Sequence, residues 1–214
     1  MSAAQQAERL KLAAGAAELG IQLEGWQLDA LQKLLDEVQA ANARFNLTAI
    51  RDRGDMLVKH VLDSLTLQRH LRGERMADVG TGPGFPGLPL AIVNPQRRFA
   101  LIESVGKKAR FVQSAVGVLG CANVEVVHGR AEGYHPAQLF DTVAARALSS
   151  LQEFVAQAGH LCAPGGVLLA MKGRRPDAEL AALPRGWRVD AVERARVPGL
   201  QDERHIVEIV KNRE

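Results

Sequence analysis

The segment Asp78-Val79-Gly80-Thr81-Gly82-Pro83-Gly84-Phe85-Pro86-Gly87 constrains the fold more than any other part of this chain. A short apolar run precedes it and another follows. It therefore reads as a strand ending in an acid, a glycine-rich turn, and a helix. Glycine has no Cβ and adopts positive φ without strain, so backbone in such a turn can pass close to a bound group. In an open parallel sheet that place is the carboxyl edge, where nucleotide-type cofactors are held. The spacing Gly82-x-Gly84-x-x-Gly87 alone is weak evidence, because a plain strand-to-helix turn also carries it. A second feature argues for a ligand. Arg98–Glu103 reads as a second strand whose terminal acid falls about 20 residues past the turn, where a ribose diol is gripped.

Asp78 discriminates between cofactors. A pyrophosphate is anionic, and a carboxylate beside its turn repels it. Pro83 and Pro86 also remove two backbone N–H donors that a pyrophosphate needs. S-adenosylmethionine carries a sulfonium and an ammonium instead of phosphates, and an acid at the end of the first strand suits it. The sequence reading thus assigns Asp78, Gly82, Gly84 and Glu103 to a cofactor site.

The pattern of apolar residues divides the chain near residue 70. Residues 3–19 favour helix, 26–43 form an amphipathic helix with Leu28, Leu31, Leu34, Leu35 and Val38 on one face, and 55–70 repeat that pattern. Residues 1–70 are expected to form a helical appendage, and 71–214 the cofactor-binding domain. From Met76 onward strands and helices alternate: strands at 76–80, 98–103, 124–128, 140–145 and 167–172, with helices at 87–93, 107–119, 151–161 and 176–183. Two last strands, 187–193 and 205–210, have no long helix between them. The expected fold is α/β, a mostly parallel sheet with right-handed crossovers and a C-terminal antiparallel hairpin. That order resembles the Rossmann-like class I methyltransferase fold.

No apolar run approaches the roughly 18 residues of a membrane helix, and the N-terminus lacks a signal-peptide pattern. Cys121 and Cys162 form no metal-like cluster and read as reduced thiols of a cytoplasmic protein. No metal is expected. The net charge is +3, but its location matters more than its size. Arg97, Arg98, Lys107, Lys108 and Arg110 crowd one stretch, and Lys172, Arg174 and Arg175 another. Either cluster reads as a solvated face or as a contact for an anionic macromolecule. Aromatic residues make up only 4%, so no base-stacking platform is evident.

More specific motifs follow one another along the chain: Phe45-Asn46-Leu47-Thr48-Ala49-Ile50-Arg51-Asp52, then His60-Val61-Leu62-Asp63-Ser64-Leu65, then Asp78–Gly87. Later come Ala145-Arg146-Ala147 with Ser149, Met171-Lys172-Gly173, and Glu203-Arg204-His205. From about Trp26 to the end, this set closely resembles the RsmG (GidB) family of bacterial 16S ribosomal RNA guanine-N7 methyltransferases. The resemblance implies S-adenosyl-L-methionine as cofactor and 16S rRNA, the small ribosomal subunit or an assembly intermediate as partner, with the protein acting as a monomer. It implies that Gly80 and Phe85 line the cofactor pocket, that Glu103 holds the ribose hydroxyls and that Ala131 and Glu132 frame the adenine. Arg146 would sit beside the methyl donor as an orienting group. Phe85 occupies a place where many members carry leucine. RNA contacts fall to Arg97, Lys107, Lys108, Lys172, Arg175, Arg204 and His205. Residue by residue, His60 and Asp63 read as a structural hydrogen-bonding pair one helical turn apart. Asn46 and Thr48 read equally as helix cap or substrate contact.

Guanine N7 has a free lone pair, so methylation there needs no deprotonation and no general base. Three alternatives stand beside this reading. They are a methyltransferase of the same fold with another substrate, a non-catalytic rRNA-binding assembly factor, and a nucleotide-dependent oxidoreductase. Asp78 and the two prolines argue against the last.

Overall fold

A computed structural model describes residues 2–146 and 150–212; Ala147 and Ser149 of the motif above lie outside the described residues. A seven-stranded sheet organises the chain, in the order β3-β2-β1-β4-β5-β7-β6. Its strands are β1 (Arg75–Val79), β2 (Arg98–Glu103), β3 (Val124–His128), β4 (Phe140–Arg146), β5 (Cys162–Lys172), β6 (Trp187–Arg194) and β7 (His205–Lys211). The first five run parallel, and β7 pairs antiparallel with both β5 and β6. The expected terminal hairpin is therefore present, with its second strand inserted beside β5 and its first strand at the edge.

Helices cover both faces, which explains why the central strands are apolar at consecutive positions. Alternate side chains feed two cores. Met76, Phe99, Leu101 and Leu169 join one; Ala77, Val79, Ala100, Ile102 and Leu168 join the other. The first core also takes Leu12 from α1 (Ala3–Glu18) and Leu31, Leu35 and Val38 from α2 (Gly25–Phe45), so the N-terminal helices share a core with the sheet. α1 opens with a Ser2 and Gln5 capping box. α2 closes on Asn46 in the left-handed conformation, φ +49°.

The helix expected at 55–70 is present but irregular. It begins as α3 (Arg53–Met56), widens into a π turn at Leu57–Leu62, tightens as α4 (Asp63–Leu65) and ends as a 3-10 segment, Thr66–His70. Side-chain donors reach two carbonyls of the widened turn. Arg146 Nη1 donates to Lys59 and Ser64 Oγ to His60. Such insertions into a helical ladder commonly accompany a π turn.

The remaining helices are α5 (Gly87–Val93), α6 (Gly106–Leu119), α7 (Leu151–Ala158) and the short α8 (Asp177–Leu180). β5 starts at Cys162, five residues before the strand the sequence suggests. The Ala163-Pro164-Gly165-Gly166 turn sits inside the strand as an irregularity: Phe140 pairs with Cys162 and Thr142 with Val167. Gly165, at φ +77°, lets the chain turn there.

Candidate active site

The sheet register sets the site. Val79 is level with Ile102 on one side and Ala145 on the other. Gly80, Glu103 and Arg146 therefore emerge together at the carboxyl edge, one residue further along each strand. The turn closes back on β2, with the N–H groups of Gly80 and Thr81 both donating to the carbonyl of Ile102, at 2.9 and 3.1 Å.

The glycines of the turn divide into two roles. A Cβ on Gly84 would lie 2.4 Å from Leu88 Cδ1, and one on Gly87 would lie 2.8 Å from both Asp78 Oδ2 and Leu101 Cγ. These two permit close packing of turn on helix and sheet. A Cβ on Gly80 would meet nothing within 4 Å, and one on Gly82 only a carbonyl at 4.0 Å. Both have positive φ, +69° and +61°, and both border open space.

Asp78 ties the turn together from inside. Its Oδ2 accepts from Thr81 Oγ1 at 2.6 Å and from the Gly87 N–H at 2.8 Å. Its Oδ1 is buried without a partner. Burial pushes this carboxyl up to about 6, against the two hydrogen bonds that favour its charged form. Thr81 is a partner of Asp78 that spacing did not reveal; a hydroxyl three residues after a buried acid is the signal that could have found it. Glu103, 5% exposed, accepts from the Gly82 N–H with Oε2 and from the Val105 N–H with Oε1, each at 2.8 Å. It fixes the open half of the turn while keeping spare lone pairs. Ala131 is buried at the start of a 3-10 turn after β3, and Glu132 beside it is exposed.

Arg146 enters a network that the sequence did not assemble. Its Nη1 donates to the Lys59 carbonyl at 3.0 Å and to Asp63 Oδ2 at 3.3 Å, while Nη2 lies 3.1 Å from His60 Nδ1. A guanidinium only donates. His60 Nδ1 is therefore the acceptor, and its proton sits on Nε2, facing Thr48 Oγ1 at 3.0 Å. Burial and the Arg146 charge push His60 down to about 3, so its ring is neutral. The ring stacks on Phe85, with centroids 4.5 Å apart and planes 12° from parallel, and Arg146 lies 5.7 Å from the same Phe85 centroid. Asp63, 2% exposed, also accepts from Arg204 Nε at 3.2 Å. Burial raises its pKa, opposed by the two guanidiniums. The two clusters share Phe85, which leaves the glycine turn to enter this network.

Several candidate RNA contacts are placed differently from one another. β2 runs between the cations that sequence groups together. Arg97 and Arg98 border a cavity of ≈ 460 Å³ at the amino edge of the sheet, with Arg75, whereas Lys107 and Lys108 open α6 at the carboxyl edge. The reading of these as one cluster is corrected, because a strand separates residues that are near in sequence. Lys107 Nζ donates to the Phe45 carbonyl at 3.0 Å. Lys172 pairs with Glu179 at 2.9 Å and Arg175 with Asp177 at 2.7 Å. Arg204 is turned inward to Asp63, and His205 is buried at 7% exposure, so its ring is not offered at the surface. Asn46 serves as the α2 cap and accepts from Arg51, while Thr48 anchors His60. Both cysteines are buried and free. Among the described residues no group of three or more His, Cys, Asp or Glu could hold a metal, and no helix is long and apolar enough to cross a membrane.

The open backbone at Gly80 and Gly82, the unpartnered buried Asp78 Oδ1 and the Glu103 carboxylate suit a group carrying positive charge and a diol. Phosphates would find two carboxylates in their way. Sheet order and site together define a class I methyltransferase, the class whose methyl donor is S-adenosylmethionine. Solved structures share the fold. The glycopeptide N-methyltransferase MtfA complexed with S-adenosyl-L-methionine superposes with a TM-score of 0.63 at 12% identity, covering 72% of this chain and 88% of that one. An S-adenosylmethionine-dependent methyltransferase from Aquifex aeolicus gives 0.56 at 20%, covering 73% and 93%.

Sequence relatives narrow the class. The profile of GidB, rRNA small subunit methyltransferase G, matches residues 27–207. The ribosomal RNA small subunit methyltransferase G of Aeromonas salmonicida is 46% identical over 191 residues, 89% of this chain and 92% of that protein. That of Methylococcus capsulatus is 48% identical over 195 residues, 91% and 95%. The chain belongs to the rRNA small subunit methyltransferase G family.

Proposed function

We infer that this chain transfers the methyl group of S-adenosyl-L-methionine to N7 of a guanosine in 16S rRNA. The observation that carries the reading is the open Gly80–Gly82 turn held between Asp78 and Glu103, in a chain of this family. Asp78 and Glu103 would hold the cofactor, with Gly80 and Gly82 giving its passage and Ala131 and Glu132 beside the adenine. When bound, the cofactor supplies an electrophilic methyl on a cationic sulfur.

The remaining work falls to alignment. Guanine N7 is already a lone-pair acceptor, so no residue has to remove a proton before attack. The network around Arg146 agrees with that requirement. Arg146 stays protonated and cannot act as a base. His60 is neutral, but each ring nitrogen already has a partner, Arg146 and Thr48. These groups are built to hold a shape. Holding reactants in line can supply on the order of 7–11 kcal/mol of a barrier. Arg146, locked by Lys59, His60 and Asp63, serves as the orienting donor at the edge where the glycine turn opens.

The substrate in this reading is the small ribosomal subunit or an assembly intermediate, met by a monomer in the cytoplasm. Support comes from the modest basic surface, which favours recognition of shape over tight binding to any RNA. The test is methyl transfer from labelled S-adenosylmethionine to small subunits from cells lacking this protein. Label at one guanine N7 is the expected result. Subunits that take up no label, with cofactor binding shown by calorimetry, would move the reading to another substrate or to the non-catalytic assembly factor.

A further inference from the structure

A groove of ≈ 400 Å³ lies between α2 and α6, outside the site described above. Its apolar surface comes from Ala41, Phe45 and Phe111, and its rim carries Arg44, Lys107 and Arg110 against the single acid Glu37. Phe45 is 49% exposed, the most exposed phenylalanine among the described residues. A half-exposed ring among three cations is poorly explained by packing. Its backbone, in contrast, is fixed. Phe45 is the last residue of α2, Asn46 caps that helix, and Lys107 Nζ donates to the Phe45 carbonyl at 3.0 Å. Arg44 and Arg110 form no ion pair among the described residues, so their charge remains available.

We propose that this groove binds an unpaired nucleotide of the substrate RNA, its base stacked on Phe45 and its phosphates held by Arg44, Lys107 and Arg110. Stacking on an aromatic face beside a basic groove is how single-stranded nucleic acid is held; Trp26 is as exposed as Phe45, but it does not line this groove. The geometry joins the groove to the candidate active site. Thr48, which anchors His60, follows Phe45 by three residues, so the two Cα atoms lie at most about 11 Å apart. Lys107 follows Glu103 by four. A nucleotide one or two positions from the methylated base falls within that reach. The proposal rests on the rRNA methyltransferase reading.

The test uses the full chain and a fluorescein-labelled single-stranded RNA of ten nucleotides, read by anisotropy, together with methyl transfer to small subunits. Phe45→Ala is expected to weaken the ten-mer about 5- to 150-fold, the range for losing one stacked base, and to raise KM with kcat held. Phe45→Trp should stay within about threefold of the parent, because the π face is kept. A double Arg44→Ala, Arg110→Ala variant should weaken binding and lower the salt slope by ~0.7 for each phosphate no longer neutralised. Cofactor affinity should not change in any of them. Ten-mer affinity and KM within twofold of the parent for Phe45→Ala would overturn the groove. So would a loss seen with whole subunits and absent with the ten-mer, which would point to a ribosomal protein instead. If the parent protein methylates no subunit, the functional reading fails; if it does and Phe45→Ala matches it, the groove alone fails.

Discussion

Asp78→Asn should make this protein more stable above neutral pH while weakening its cofactor site. The Asp78 carboxyl is held at about 6, against 3.8 unperturbed, because burial opposes its charge. The native state therefore binds this proton more tightly than the unfolded chain does. Stability from this group is full below about pH 4 and is lost as pH rises through about 6. The shift of roughly two units corresponds to about 3 kcal/mol at pH 8. Asparagine has nearly the same shape and resembles the protonated acid. Its carbonyl can still accept from Thr81 Oγ1 and the Gly87 N–H, and the unpartnered Oδ1 position stays unpartnered. The variant should match the parent near pH 4 and exceed it by about 2–3 kcal/mol at pH 8, or about 5–10 °C in Tm for a chain of this size. Urea melts of both proteins at pH 4.5, 6 and 8 measure the difference. Other titrating groups cancel in that comparison. Calorimetry with S-adenosylmethionine should show roughly tenfold or greater loss of affinity, because a charged partner has been removed. Equal pH dependence of the two proteins, or a variant less stable at pH 8, would falsify the assignment of a strained buried charge.

Other outcomes follow from the same geometry. His60 has the opposite sign: its native value is depressed to about 3, so its stability is present above about pH 6.5 and lost on acidification toward 3, by roughly 4–5 kcal/mol in all. A ring that titrates near pH 6.5 by NMR would contradict this. Glu103→Ala leaves the N–H groups of Gly82 and Val105 without partners and should cost about 1–3 kcal/mol of stability and at least about tenfold in cofactor affinity, checked by melts and calorimetry. Arg146→Lys should lower kcat more than cofactor affinity, because an ammonium cannot reach Lys59, His60 and Asp63 together; unchanged kcat would remove its orienting role. Phe154→Ala empties a fully buried position on the opposite face of the sheet and should cost about 3–5 kcal/mol, with cofactor affinity retained in the folded fraction.

Local chemistry wrote much of this protein into its sequence. A parallel strand buried on both faces must be apolar at consecutive positions, so 98–103 was legible to the residue. The glycine turn and the acids at Asp78 and Glu103 were legible because few residues tolerate positive φ and a buried carboxylate needs a reason. The sequence also carried the family, through motifs in a fixed order. Tertiary structure decided the rest, because it depends on residues far apart in the chain. Spacing could not tell that Gly84 and Gly87 pack while Gly80 and Gly82 border open space, since the neighbours come from β2 and α5. It grouped Arg97 with Lys107, which stand at opposite edges of the sheet. It treated Arg146, Arg204, His60 and Thr48 separately, although separations of up to 141 residues close into one network around Asp63 and Phe85. A sequence fixes which groups dislike water or need partners. Only the sheet register and the helix packing decide which partners they find.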